Sequence, residues 1–146
     1  MDYSPILAPV VALVVWTLVM WAWMYATRLP AMRGAGISLK GRVGSRGGDL
    51  DGILPDQVQW KAHNYNHLLE QPTLFYAVAL SLAIVGDSDP GTVAFAWAYA
   101  GLRVVHSLIQ ATVNIVKYRL LVFVLGSAAL ILLTIRLAAL LLRAGG

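Results

Sequence analysis

Two sets of polar residues recur at helical spacing within segments that are otherwise apolar. One set is His63, Asn66 and Glu70; the other is Arg103, His106, Gln110 and Asn114, with Lys117 at its end. Residues three, four and seven apart share a helix face. Ionisable groups at bilayer depth are costly, face protein rather than lipid, and mark functional sites by default. Carboxylate, imidazole, amide and guanidinium groups in such rows suit a polar organic ligand held by hydrogen bonds and charge. A metal is the alternative, since His63, His67 and Glu70 also share a face. That trio has no clear complement, and the two amide-bearing positions favour an organic ligand. His67 stands one position off its row and is expected to pack elsewhere.

The elements that must position these residues follow from composition. The chain has 146 residues, 59% hydrophobic and 12% charged, with a mean hydropathy of +0.71. Soluble proteins carry about 25% charged residues, so a single membrane domain is expected. The net charge of +4 does not imply nucleic acid, because the basic residues cluster at membrane ends rather than on one soluble face. There is no cysteine, which removes disulfides and protein thiolate chemistry. The start, Met1-Asp2-Tyr3-Ser4, is acidic and lacks the basic region of a signal peptide.

Crossing ~30 Å of hydrocarbon takes about 20 apolar residues. Four spans are predicted, at about 6–26, 56–85, 91–116 and 120–142, giving an all-α, up-and-down four-helix membrane bundle. Arg28 and Pro30 should stop the first span, and Pro72 should kink the second. Residues 27–55 form a basic, glycine-rich loop, flexible at least in part. Its run Gly41–Gly48 superficially resembles a phosphate-binding loop but lacks the Gly-Lys-Ser/Thr ending. Lys117-Tyr118-Arg119 reads as the break between spans three and four, and Arg136 lies near enough to the end of span four to snorkel. By the positive-inside rule loops one and three face the cytoplasm and both termini face outward.

Register counting sets the two rows against each other. Glu70 lies 16 residues before Gly86, and His106 lies 16 after Pro90, so both sit roughly 24 Å from the intervening turn. Arg103 is one turn shallower and is predicted to pair with Glu70. Asn66 then faces Gln110, and His63 faces Asn114. Each rung also has a plain structural reading. Glu70–Arg103 serves as an interhelical lock, Asn66–Gln110 as hydrogen-bond glue of about 0.6 kcal/mol, His106 as a satisfied core histidine, and His63 and Asn114 as solvated end residues.

The segments Lys61-Ala-His-Asn-Tyr-Asn-His-Leu-Leu-Glu-Gln-Pro72 and Arg103-Val-Val-His-Ser-Leu-Ile-Gln-Ala-Thr-Val-Asn114, the latter followed by Lys117-Tyr-Arg119, resemble signatures of the membrane-associated proteins in eicosanoid and glutathione metabolism. The glycine-rich loop and compact length look like a bacterial member. The resemblance implies a homotrimer among membrane lipids, with glutathione as co-substrate bound between subunits in the cytoplasmic half of the bilayer. It implies that Asn66 and Glu70 hold the peptide, with His106 and Gln110 beside them, and that Arg28 and His63 meet its carboxylates. Arg103 and Asn114 complete the binding set, and Arg119 stabilises the thiolate. In the eukaryotic enzymes the Asn and Glu are three apart, whereas Asn66 and Glu70 are four apart, and Gln110 stands where some members carry Tyr.

The implied activity is a glutathione-dependent transferase or peroxidase acting on lipophilic small molecules. One alternative is a non-enzymatic relative whose polar ladder stabilises the oligomer or binds a lipid or anion. Another is a small transporter or proton relay using Glu70, His106 and Arg103.

Overall fold

A computed structural model describes residues 4–41 and 43–144. Arg42 of the basic loop and the acidic start Met1–Tyr3 lie outside the described residues. Five helices follow in order: α1 (Leu7–Gly34), α2 (Asp56–Leu68), α3 (Gln71–Ile84), α4 (Pro90–Thr112) and α5 (Val116–Ala144). The described residues contain no strand. Helices α2 and α3 run in series as one leg, so the five helices form four legs of an all-α bundle.

The bundle follows from an apolar chain that must satisfy its backbone without water. Helices do this within one segment. α1, α4 and α5 are long and apolar enough to cross a membrane, with mean hydropathy of 2.0, 1.3 and 2.4; the protein is an integral membrane protein. The 14 residues of α3 rise only about 21 Å, so α2 must complete that leg. Neighbouring legs are antiparallel. Asn64 meets Ser107 while Gln71 meets Arg103, and His106 meets Phe123 while the turn before α4 meets Arg136. Leu13, Met20, Phe75, Leu82, Tyr99 and Leu133 form the centre, with the rings of Phe75 and Tyr99 stacked at 4.5 Å. Outward residues such as Val11, Leu18, Leu125 and Ile135 are exposed, which suits contact with lipid.

Four details differ from expectation. α1 does not stop at Arg28 and Pro30 but continues to Gly34. Proline removes only one hydrogen bond, which a packed membrane helix tolerates, and the last turns are held by Met32, buried against Leu50 and Leu54 of the first loop. That loop is therefore structured over part of its length, with a single 3-10 turn at Gly47–Leu50.

The second leg is broken rather than kinked. α2 ends at Leu68, and α3 begins at Gln71 with Pro72 in its first turn. A proline suits the first turn of a new helix, where its missing N–H goes unused, and breaks one that would run through it. The interruption therefore falls upstream, at Leu69–Glu70.

The break before α5 lies at 113–115, not at Lys117–Arg119. Asn114 adopts a left-handed backbone with φ 52°, a common way to end a helix and one that Asn tolerates. Lys117, Tyr118 and Arg119 consequently sit in the first turns of α5.

Arg136 does not simply snorkel. Its Nε and Nη2 each donate to Asp87 at 3.0 Å, tying the 85–89 turn to α5. The Asp87 side chain is only 4% exposed and that of Arg136 39%.

Candidate functional site

The α4 row is buried as a unit. Arg103, His106 and Gln110 are 2%, 3% and 4% exposed, and Ser107 is buried beside them. The row on α2 that meets it is not the expected one. His63, Asn66 and Glu70 are exposed on the single chain, whereas Asn64 is buried. Asn64 Nδ2 donates to Ser107 Oγ at 2.5 Å, and His67 packs edge-on against His106 with centroids 4.8 Å apart. Gln71 accepts from Arg103 Nη2 through Oε1. Asn64, His67 and Gln71 keep helical spacing, shifted one position around the helix from the expected row.

The predicted Glu70–Arg103 pair does not form. Glu70 Oε2 lies 3.1 Å from His67 Nδ1, with its side chain 69% exposed. Arg103 instead donates from Nε to the Tyr99 hydroxyl at 3.1 Å, and its guanidinium lies 5.0 Å from the Phe123 ring centroid. The cause is the interruption at Leu69–Glu70, which turns Glu70 outward and brings Gln71 onto α4. The other rungs fail for the same rotational reason. Asn66 faces out while Gln110 is buried. His63 Nε2 lies 3.0 Å from Asp51 Oδ1 rather than against Asn114.

Arg119 joins the buried row through a cavity of about 190 Å³ lined by His67, His106, Val116, Arg119, Leu120 and Phe123. His67 stacks on Phe123 at 5.6 Å and 21°, so imidazole and benzyl rings form one wall. Arg119 reaches the cavity because Asn114 makes the α4–α5 turn and then accepts from Arg119 Nη1 at 2.6 Å. One residue thus sets both the path of the chain and the aim of the guanidinium. Arg119 Nε, Arg103 Nη1 and Gln110 Oε1 are buried without a hydrogen-bond partner among the described residues, and such groups are costly to leave unmet. Of the three, Arg119 lines the cavity, and its unspent donor suits a polar ligand. Ligand pockets usually enclose about 300–1,000 Å³, so this cavity is smaller than a typical ligand site.

Arg28 and His63 lie at the same end, bound to the first loop. Arg28 Nη2 donates to the Gly47 carbonyl; a Cβ at position 47 would come within 3.2 Å of Arg28 Nη1, so glycine permits this approach. Asp51 accepts from Gln59 Nε2 at 2.5 Å and faces His63. The Gln59 hydrogen bond, aided by His63 and the Arg28 charge, holds the Asp51 carboxyl below the usual carboxylate range. No group of three or more His, Cys, Asp or Glu among the described residues could hold a metal.

Asn64, His67 and Gln71 are the residues that sequence reasoning missed, and His67, expected to pack elsewhere, lies against His106. The available signal was the spacing. His67, not Asn66, stands three residues before Glu70, as the Asn does in the eukaryotic enzymes.

Neither the curated proteins nor the solved structures compared with the chain gave a match. The model of the MAPEG family matches residues 6–139. This match covers all four legs and the whole site, and the chain belongs to the MAPEG family, a group of helical membrane proteins of glutathione and eicosanoid metabolism.

Proposed function

We propose that the protein is a glutathione-dependent transferase or peroxidase for lipophilic electrophiles, working as a homotrimer with Arg119 stabilising the thiolate. The observation that carries this reading is the cavity where Arg119 faces His67, His106 and Phe123 at the end of two membrane helices. A thiolate, not a thiol, is the nucleophile, and a neighbouring cation favours it. Arginine keeps its proton, so its part is electrostatic. In the transferase reaction sulfur forms a bond to the electrophilic carbon, and the leaving group departs with its electron pair. An electrophile dissolved in lipid reaches such a site laterally.

The exposure of His63, Asn66 and Glu70 supports a site completed by a neighbouring subunit. Arg28 and His63 would then exchange the Gly47 carbonyl and Asp51 for the carboxylates of glutathione. Asn66 and Glu70 would meet the peptide, as would Arg103, His106, Gln110 and Asn114 through their unspent hydrogen-bonding capacity or their hold on Arg119.

The test uses the full chain in detergent with glutathione and a chloronitrobenzene. The wild type should accelerate conjugation, and Arg119→Ala should lower kcat/KM by about 100-fold or more, the usual effect of losing one charge-stabilising donor. No acceleration, with no thermal stabilisation by glutathione, would overturn the proposal.

The same exposure favours a second reading, a non-enzymatic member whose polar residues bind subunits, a lipid or an anion. It differs in its outcome: Glu70→Gln would lower the thermal stability of the oligomer, and glutathione would not raise that of the wild type.

A further inference from the structure

We infer that His67, oriented by Glu70, accepts the thiol proton, making it a second catalytic residue beside Arg119. The inference rests on the glutathione reading above. An ordinary thiol with a pKa near ~8.5 is mostly protonated at neutral pH. Arg119 can stabilise the product of deprotonation but cannot take the proton. The cavity lining offers two groups that can, His67 and His106.

The surroundings separate them. His67 Nδ1 lies 3.1 Å from Glu70 Oε2. A carboxylate only accepts, so Nδ1 carries the hydrogen and Nε2 keeps the ring's lone pair. Nε2 has no hydrogen-bond partner among the described residues. The ring is held on two sides, by Phe123 at 5.6 Å and His106 at 4.8 Å. This is the arrangement of a base oriented by a third group. His106 lacks a carboxylate partner among the described residues and is 3% exposed. The His67 side chain is 20% exposed, so the imidazolium formed there would keep some water and face the Glu70 charge.

The step balances with groups already named. The S–H bond breaks, its electron pair stays on sulfur, and the proton moves to Nε2. Glu70 balances the imidazolium and Arg119 balances the thiolate. When the thiolate displaces a leaving group, the proton on Nε2 passes to solvent. When it adds to a conjugated carbonyl compound, the same proton returns to carbon. Glu70 acts through His67 and is a positioning residue.

The charged and titratable groups around His67 are Glu70 from the α2–α3 junction, Arg103 and His106 from α4, and Arg119 from α5. The experiment follows the ultraviolet absorbance of the glutathione thiolate by stopped flow, across pH, with the full chain in detergent. His67→Gln should bind glutathione as the wild type does, measured by equilibrium dialysis. Its thiolate should form about 100-fold more slowly, within the range of a lost general base. Its rate should rise in proportion to hydroxide, and added imidazole should restore it. At saturating glutathione, where a lost contact to the peptide no longer counts, Glu70→Gln should show a smaller loss.

A His67→Gln protein with the wild-type thiolate rate and pH profile, beside a deficient Arg119→Ala, would overturn the base and leave the glutathione reading intact. A wild type that neither binds glutathione nor forms thiolate would overturn both. If His67→Gln does not fold, Glu70→Gln carries the test, and an unchanged rate and pH profile there overturns the inference.

Discussion

Asn114 and Arg119 have to be considered together. The backbone of Asn114 makes the left-handed turn, and its side chain accepts from Arg119 Nη1 at 2.6 Å. Two substitutions separate these contributions. Asn114→Gly keeps the turn, since glycine adopts positive φ freely, but loses the contact to Arg119. The oligomer should retain its thermal stability to within about 1 kcal/mol, while glutathione turnover should fall by about tenfold, the effect of a misaimed stabilising group. Asn114→Ala should lose both turnover and stability, because alanine lacks the short polar side chain that lets Asn tolerate the left-handed conformation. Thermal unfolding alongside a conjugation assay reads the difference. Arg119 was legible as a candidate only through the family resemblance of the segment that ends in Lys117-Tyr-Arg119. Its partner was legible only as a row member, since an Asn tolerates a positive φ without requiring one.

Among the elements, the α2–α3 leg departs most from its sequence reading. Gln59, His63, Asn64, Asn66, His67, Glu70 and Gln71 spread polar groups over an arc of roughly 160° at 3.6 residues per turn, so periodicity cannot select which edge of that broad polar face turns inward. Packing against α4 selects Asn64, His67 and Gln71. A consequence follows for stability. Arg103 is 2% exposed and leans on Gln71 and Tyr99. Gln71→Leu removes the acceptor and should destabilise the fold by about 1.5–3 kcal/mol, the worth of a hydrogen bond to a charged group. Glu70→Gln, at an exposed position, should cost less than 1 kcal/mol under the proposed function. Chemical denaturation in detergent ranks the two, and the reverse order would restore Glu70 as the counter-ion.

The turn between α3 and α4 allows a pH test. Its two hydrogen bonds from Arg136, with help from Thr92 and the Asp89 backbone, hold the Asp87 carboxyl below its ordinary value. A depressed carboxylate stabilises the fold fully above its unfolded pKa, about 3.9. That contribution is lost as pH falls through the lower folded value. The melting temperature should therefore show no Asp87 contribution to its slope near neutrality and should fall in acid. Asp87→Asn should lower it at neutral pH and flatten the acid fall.

At the scale of the whole molecule, the exposed apolar faces suit lipid, and the proposed function adds neighbouring copies that complete the cavity. Mass measurement in detergent should return a trimer, stabilised by glutathione. Sidedness is testable because the chain has no native cysteine. Ser88→Cys in the α3–α4 turn should react with an impermeant maleimide on intact cells, and Ser45→Cys in the first loop only after lysis, as the positive-inside rule expects. The opposite pattern would invert the orientation.

Composition and spacing by themselves determined that this is a helical membrane protein with four legs and a buried polar row on α4. Hydropathy is a sum over many residues, and α4 carries its polar groups on one face only. Which residues of the second leg meet that row was decided by the tertiary structure. An interruption upstream of Pro72 changes the rotation of everything around it, and a leg with so broad a polar face has no preferred edge until another helix packs against it.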